Sequence, residues 1–146
     1  DCAKCIPDDA QLKKCISKGI DVNETEKKQP YLLHAKLGAY LAKEKYGVKD
    51  KEVLSAIRKH TTGDVDMTML EKIIFVADYI EPARSKAKNL TLIRRLAFED
   101  IDTAVYFIMK DTLEYLEEKG TEIDKQTKMA YEFYKNVYAE KGGNNK

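Results

Sequence analysis

The segment MTMLEKIIFVADYIEP, residues 67–82, carries a specific signal for the start of a helix. Thr68 and Glu71 have the T-x-x-E spacing of a capping box, in which each side chain accepts a hydrogen bond from a backbone N–H at the start of a helix. The residues that follow are apolar on most sides, and Pro82 cannot continue a helix. We therefore predict a helix over residues 69–80 that is the central, buried helix of the fold.

The remaining segments also carry helical signals. Apolar residues recur at three- and four-residue intervals, Asp50 and Asp100 can cap helix starts, and Gly19, Gly47 and Gly120 can end helices. Further helices are predicted near residues 8–18, 31–46, 51–61, 90–97, 101–119 and 125–139, and residues 20–29 are predicted to form a polar turn. With no internal repeat or linker, we expect one all-α domain over residues 1–139 and a disordered tail over residues 140–146.

Composition and charge exclude several classes of function. Lys and Arg number 26 and Asp and Glu 25, so the formal net charge of +1 argues against sequence-independent nucleic-acid binding. No apolar run reaches the roughly 18 residues that span a bilayer, and the first residues do not resemble a signal peptide. Three cysteines leave an odd thiol, which favours the reducing cytoplasm. The C-x-x-C spacing of Cys2 and Cys5 leaves a zinc site open as a minor alternative to free thiols.

Asp78, His34 and His60 are the candidate metal ligands. Asp78 follows Leu70 and Ile74 at four-residue intervals, so we predict a carboxylate on the buried stripe of the central helix, where a cation or strong hydrogen bonds must compensate it. The chain has two histidines, and both fall on apolar helix faces. Neutral imidazole and carboxylate ligands suit a divalent ion such as iron or manganese. A structural Asp and ordinary core histidines are the alternative.

His60 also lies within the run RKHTTG, residues 58–63. Two cations, two hydroxyls and a glycine around an imidazole are groups that can bind phosphate oxygens. A helix C-terminus with basic residues and a glycine stop explains the same pattern. Arg84, two residues after Pro82, is a second candidate phosphate ligand, and a solvated basic loop is the alternative for it.

Four longer strings resemble one known family. HAKLGAYLAKEKYGV (34–48), AIRKHTTG (56–63), MTMLEKIIFVADYIEPAR (67–84) and TEIDKQTKMAYEFY (121–134) resemble the YqeK-like branch of the HD superfamily. Members of this branch are symmetrical bis(5'-nucleosyl)-tetraphosphatases. The resemblance implies an HD-domain helical bundle that hydrolyses diadenosine tetraphosphate to two ADP in a metal-dependent reaction. An HD phosphohydrolase of nucleoside monophosphates or of a guanosine alarmone, a non-catalytic nucleotide-binding module and a helical interaction domain are the alternatives.

The resemblance also implies roles for individual residues. Four of them would act in catalysis: Asp1, Lys4, His60 and Asp78. The metal, iron or alternatively manganese, would be held by four side chains: Asp1, Asp78, His34 and His60. Substrate would be contacted by His34, His60, Thr61, Asp78 and Arg84. A loop closing over the nucleoside would comprise Thr121, Glu122, Ile123, Asp124, Lys125 and Gln126.

The start of the chain, DCAK, resembles the second half of the family's His-Asp motif, with Asp1 as its aspartate and Lys4 as its phosphate-facing lysine. The motif histidine and the N-terminal helix before it are therefore expected to be missing from this sequence. We expect a nucleotide substrate and ADP product, no nucleic-acid or membrane partner, a homodimer as the candidate assembly, and a cytoplasmic location.

Overall fold

The computed structural model describes residues 3–143, and that part of the chain is helical without any strand. A 3₁₀ turn over Pro30–Leu32 joins the second helix to the third. The helices, in chain order, are α1 (Asp8–Ser17), α2 (Glu24–Lys28), α3 (Leu33–Tyr46), α4 (Lys51–Lys59), α5 (Met69–Tyr79), α6 (Leu90–Glu99), α7 (Ile101–Glu118) and α8 (Lys125–Gly143). The prediction of an all-α fold is confirmed.

Three predicted helix starts are confirmed by their capping hydrogen bonds. The Asp50 carboxylate accepts from the first-turn backbone N–H groups of α4, at 2.8 and 3.2 Å. Thr68 and Glu71 form the reciprocal capping box at the start of α5. The Asp100 side chain accepts from the Thr103 N–H in the first turn of α7. Each cap satisfies backbone donors that the helix itself leaves without an acceptor.

The structure differs from the prediction at two helices. Residues 20–29 are not only a turn, because α2 begins there with a capping box between Asn23 and Glu26. The last helix continues past residue 139 to Gly143, so residues 140–143 are helical rather than a disordered tail. Lys141 holds this extension by ion pairs of 2.6 Å to Asp100 and 3.2 Å to Asp102.

Two groups of buried side chains stabilise the fold. The first, which we call the C-terminal core, joins α5, α6, α7 and α8 through Phe75, Val76, Ile93, Ala104, Val105, Ile108, Met109, Ala130 and Tyr134, with Met67 from the preceding loop. The second, the N-terminal core, consists of Ala3, Cys15, Leu33 and Leu37. Helix α4 packs between α3 and α5. It therefore connects the helices of the two cores.

The prediction that α5 is the central, buried helix is wrong. Its buried side chains are Glu71, Phe75 and Val76, whereas Ile73 and Ile74 are 46% and 38% exposed. One face of α5 packs on α4 and α7, and the opposite face borders open space, which includes a cleft lined by Ile74. Among residues 3–143, no helix combines the length and apolar character needed to cross a membrane.

Candidate active site

The two histidines come from different helices and meet side by side. His34 lies in the first turn of α3 and is buried, and His60 is the residue that caps the C-terminal end of α4. Their Nε2 atoms are 3.2 Å apart, and the rings meet edge to face with centroids 5.0 Å apart. Packing of α3 against α4 therefore brings together two side chains that are 26 residues apart in sequence.

Both imidazoles are oriented by backbone carbonyls. His34 Nδ1 is 2.5 Å from the Tyr31 oxygen, and His60 Nδ1 is 2.7 Å from the Ile57 oxygen. A carbonyl can only accept, so we assign the hydrogen of each neutral ring to Nδ1. Each Nε2 then carries a lone pair directed at the same region. Metal-binding histidines are commonly oriented in this way, with the second ring nitrogen donating to a carbonyl or carboxylate.

The Thr61 hydroxyl completes this arrangement. Its Oγ1 atom is 3.0 Å from His34 Nε2 and 3.3 Å from His60 Nε2. A hydroxyl has a single hydrogen and can donate it to only one of the two rings at a time. The three side chains thus present a cluster of lone pairs, which favours a cation or a shared proton between them. Sequence analysis predicted these three residues, and the structure brings them together.

The surroundings of His34 favour its neutral form. Burial lowers the pKa of His34, the Tyr31 carbonyl opposes that change, and the neighbouring His60 lowers the pKa further. The charges of Lys4 and Asp78 also act on His34, in opposite directions. Two further predicted residues therefore lie within electrostatic range of this ring. A neutral imidazole is the form that binds metal ions.

A glycine shapes the turn that carries Thr61. Gly63 adopts a left-handed φ of +67°, and its N–H donates to the Lys59 carbonyl at 2.9 Å. A Cβ at this position would lie 2.5 Å from Cε of Met109 in the C-terminal core. Only glycine accepts both the conformation and the close approach without strain. Gly63 therefore allows this turn to pack directly against the C-terminal core.

A cleft of about 420 Å³ opens beside the histidine pair. Its lining includes His60 and Asp78, together with Gly38, Ala42, Tyr46, Ile57, Ile74 and Ala77. Asp78 shares a stripe with Ile74 as predicted, but it is exposed, so the prediction of a buried carboxylate is wrong. The physical reason is that this stripe of α5 borders the cleft instead of the core.

Arg84 lies next to the carboxyl end of α5. Its Nη2 donates to the Asp78 carbonyl at 3.3 Å, and its guanidinium lies over the Tyr79 ring, 5.0 Å from the centroid. Arg94, which sequence analysis missed, fixes this loop by donating to the carbonyls of Ile80, Glu81 and Arg84. Arg94 comes from α6, so the loop geometry depends on a contact between segments that the pattern of residues 82–88 alone does not reveal.

The predicted nucleoside loop is tied to other parts of the chain. Glu122 pairs with Lys28 of α2 at 2.7 Å, and its backbone oxygen accepts from Gln29 at 2.7 Å. Asp124 accepts from Asn23, and Gln126 donates to Asp64, which follows the RKHTTG turn. These bonds hold the loop against α2 and the turn. A role of the loop in binding nucleoside stays a prediction.

The predicted metal set is partly represented in the structure. His34 and His60 converge, and Asp78 borders the same cleft, but Asp1 lies outside the described residues. Within residues 3–143, no three His, Cys, Asp or Glu side chains surround a common point that could hold a metal ion. The two Nε2 atoms fit a metal as a pair of neutral nitrogen ligands, which need oxygen ligands to complete a coordination shell.

Comparison with known proteins identifies the relatives of this chain. A protein-family model described as HD domain matches residues 1–83. The symmetrical bis(5'-nucleosyl)-tetraphosphatase of Bacillus subtilis (strain 168) is 42% identical over 102 residues, which cover 70% of this chain and 54% of the relative. The protein of the same name from Staphylococcus aureus (strain NCTC 8325 / PS 47) is 38% identical over 105 residues, covering 70% of this chain and 54% of the relative. The matched part of the chain thus spans about half the length of these curated relatives.

A solved structure has the same fold. The crystal structure of a predicted HD superfamily hydrolase involved in NAD metabolism from Clostridium acetobutylicum superposes with a TM-score of 0.88. The two sequences are 36% identical, and the match covers 94% of this chain and 72% of that one.

Proposed function

The chain belongs to the HD domain family, and on that premise we propose that the full protein is a metal-dependent hydrolase that cleaves diadenosine tetraphosphate symmetrically into two ADP. The observation that carries the proposal is the histidine pair, fixed by backbone carbonyls with both Nε2 atoms directed at the Thr61 hydroxyl. The names of the B. subtilis and S. aureus relatives supply the substrate. The same function follows from the resemblance of the four sequence strings.

The reaction balances with water as the only other reactant. A water oxygen bonds to one of the two middle phosphorus atoms, and the bond between that phosphorus and the central bridging oxygen breaks. The second ADP leaves with the bridging oxygen, and one proton of the water passes to the products or to solvent. Two ADP molecules result, with no oxidation or reduction.

Family membership supports a divalent metal ion as cofactor, and we propose iron, with manganese as the alternative. When bound, such an ion polarises phosphoryl oxygens and lowers the pKa of water. His34 and His60 would hold it through Nε2, with carboxylate oxygens from Asp78 and from Asp1. The ring orientations observed for both histidines favour this assignment.

The remaining residues would bind and orient phosphate and nucleoside. Thr61 would donate to a phosphoryl oxygen, and the cations of Lys4 and Arg84 would offset charge that builds up on these oxygens. We propose that the loop of residues 121–126 contacts the nucleoside. A homodimer and a cytoplasmic location stay predictions from the sequence.

The test is product analysis with the full-length protein. Diadenosine tetraphosphate is incubated with ferrous or manganous ion without oxygen, and products are separated by anion exchange. ADP as the only product supports symmetrical cleavage. ATP plus AMP, or no turnover with either ion, overturns the proposal. Turnover of a nucleoside monophosphate or guanosine alarmone alone would favour another HD phosphohydrolase, and nucleotide binding without turnover would favour a binding module.

A further inference from the structure

A partly buried ion-pair network begins at the residue next to His60. Lys59 precedes His60 in sequence, and its ammonium lies 2.8 Å from the Glu71 carboxylate and 3.2 Å from the Asp64 carboxylate. The Lys59 side chain is 25% exposed and that of Glu71 only 3%. Removal of Lys59 would leave the buried Glu71 carboxylate without its compensating charge, which is costly.

The Glu71 end anchors the network to the scaffold. The Glu71 carboxylate also accepts from the Ser55 hydroxyl on α4 and, at 2.9 Å, from the Thr68 N–H at the start of α5. Burial alone would raise the pKa of Glu71, but these bonds and the Lys59 ammonium bring it below the usual value. Glu71 is therefore ionised and fixed, and it gives Lys59 a rigid point of attachment.

The Asp64 end leads to the predicted nucleoside loop. Asp64 accepts from the Gln126 side-chain amide, and the Gln126 N–H donates to Asp124 at 2.8 Å. Asp124 in turn accepts from Asn23 at 2.9 Å. A continuous polar path thus runs from the residue beside His60 to the loop at residues 121–126. The contacts join segments that are 62 residues apart in sequence.

We propose that Lys59 is a positioning residue, which holds the His60–Thr61 turn and the loop of residues 121–126 at a fixed separation through Asp64. The inference rests on the proposed function, because it takes the loop as the nucleoside contact and the histidine pair as the site of phosphate chemistry. A substrate whose nucleoside is bound by the loop presents its scissile bond to the histidine pair only if the distance between the loop and the pair is kept. A displacement of about 1 Å is enough to lower a rate roughly 100-fold.

The variants separate the two ends of the network. Asp64→Ala breaks the link to the loop and keeps the Lys59–Glu71 pair. Lys59→Met breaks both, and Lys59→Arg keeps a cation that can reach both carboxylates. The matched control is Lys72→Met, because Lys72 forms an equally short, partly buried pair with Asp102, at 2.8 Å, on the side of α5 that packs on α7.

Kinetics with diadenosine tetraphosphate give the first readout. We expect Asp64→Ala and Lys59→Met to lower kcat by about 10-fold to 100-fold, Lys59→Arg to recover most of the loss, and Lys72→Met to stay within twofold of wild type. Adding Gln126→Ala should lower kcat by a smaller factor in Asp64→Ala than in wild type or in Lys72→Met, because the Asp64–Gln126 bond is already absent there. Equal kcat values for Asp64→Ala, Lys59→Met and Lys72→Met would overturn the inference.

Amide hydrogen exchange gives a second readout that does not require turnover. Asp64→Ala should speed exchange both in residues 121–126 and in the turn at residues 60–63, whereas Lys72→Met should change neither. Faster exchange in the loop alone would show that the two segments are not coupled and would overturn the inference. If Asp64→Ala speeds exchange in both segments but the wild-type protein does not cleave the dinucleotide, the proposed function is refuted. The coupling of the two segments through Lys59 and Asp64 then still holds.

Discussion

His34 and Tyr134 are both buried rings that carry polar atoms, but the surroundings of those atoms differ. In the C-terminal core, the Tyr134 oxygen accepts from the Met67 N–H at 3.0 Å, so a donor meets an acceptor. At the candidate site, His34 Nε2 lies 3.2 Å from His60 Nε2, and the Thr61 hydroxyl beside them can donate to only one of the two nitrogens at a time. The hydrogen bond of Tyr134 stabilises the fold by itself. The histidine arrangement is stabilised most when a cation binds both nitrogen atoms.

Stability and chemistry reside in different parts of this molecule. Changes on the histidine side should alter activity more than folding, and changes in the C-terminal core should do the reverse. Gly63 lies where the two regions touch, because its turn carries Thr61 while its backbone packs on Met109. Substitutions in each region can therefore test this division.

Asp78→Ala should have the largest effect on activity. Loss of a metal-binding carboxylate is expected to reduce turnover by about 1,000-fold or more. Because Asp78 is exposed, the free energy of unfolding should change by less than about 0.5 kcal/mol. Turnover of diadenosine tetraphosphate and thermal unfolding measure the two quantities. Glu44→Ala, which removes an exposed carboxylate from α3, is the control and should change neither. Wild-type turnover in Asp78→Ala would exclude Asp78 from the metal site.

Thr61→Val should also lower turnover at the candidate site, by a smaller factor than Asp78→Ala. The substitution keeps the shape of the side chain and removes the hydroxyl that lies 3.0 Å from His34 Nε2. We expect kcat to fall about 100-fold, as for the loss of one donor to a developing negative charge. Thr61→Ser should retain most of the activity. Thr62→Val, whose lost hydroxyl donates to the Gly63 carbonyl, is the neighbouring control, and equal losses at both threonines would contradict the specific role of Thr61.

Local signals in the sequence allowed the helix starts to be predicted, and the apolar helix faces made His34 and His60 candidate ligands. The caps at Asp50, Thr68 and Asp100 act within one helical turn, so their spacing is sufficient evidence. Four-residue spacing correctly put Asp78 on the same stripe as Ile74. That spacing cannot tell whether a core or a cleft covers the stripe, because the answer depends on other helices.

Contacts between distant segments could not be predicted in this way. The Asp64–Gln126 bond joins residues that are far apart in the chain, and the charge run around Lys59 reads equally well as a solvated helix end. Helix α2 was missed because five residues are too few for an apolar period to emerge. Its Asn23–Glu26 capping box was the one local signal that could have revealed it.

Gly63→Ala tests the boundary between the two regions. The left-handed φ of +67° and the approach of Met109 Cε to 2.5 Å from the new Cβ should both destabilise the variant, together by about 1–3 kcal/mol. The matched control is Gly47→Ala, because Gly47 has a φ of +68° with nothing within 4 Å of an added Cβ. Chemical denaturation of both variants isolates the cost of the clash. Equal losses of stability would mean that Met109 moves aside freely.

Tyr134→Phe should have the smallest effect at neutral pH and a clear effect in alkali. Burial raises the pKa of Tyr134 to about 12, with the Met67 N–H acting in the opposite direction. The folded protein therefore keeps the phenol proton at pH values where the unfolded chain, with a pKa near 10, has lost it. The contribution of this group is fully present below about pH 10 and is lost as the pH rises towards 12. Unfolding measured from pH 8 to 11 should show a decline in stability that is less steep in Tyr134→Phe. If both proteins show the same slope, burial does not raise the pKa of Tyr134, and the contrast between its surroundings and those of His34 fails.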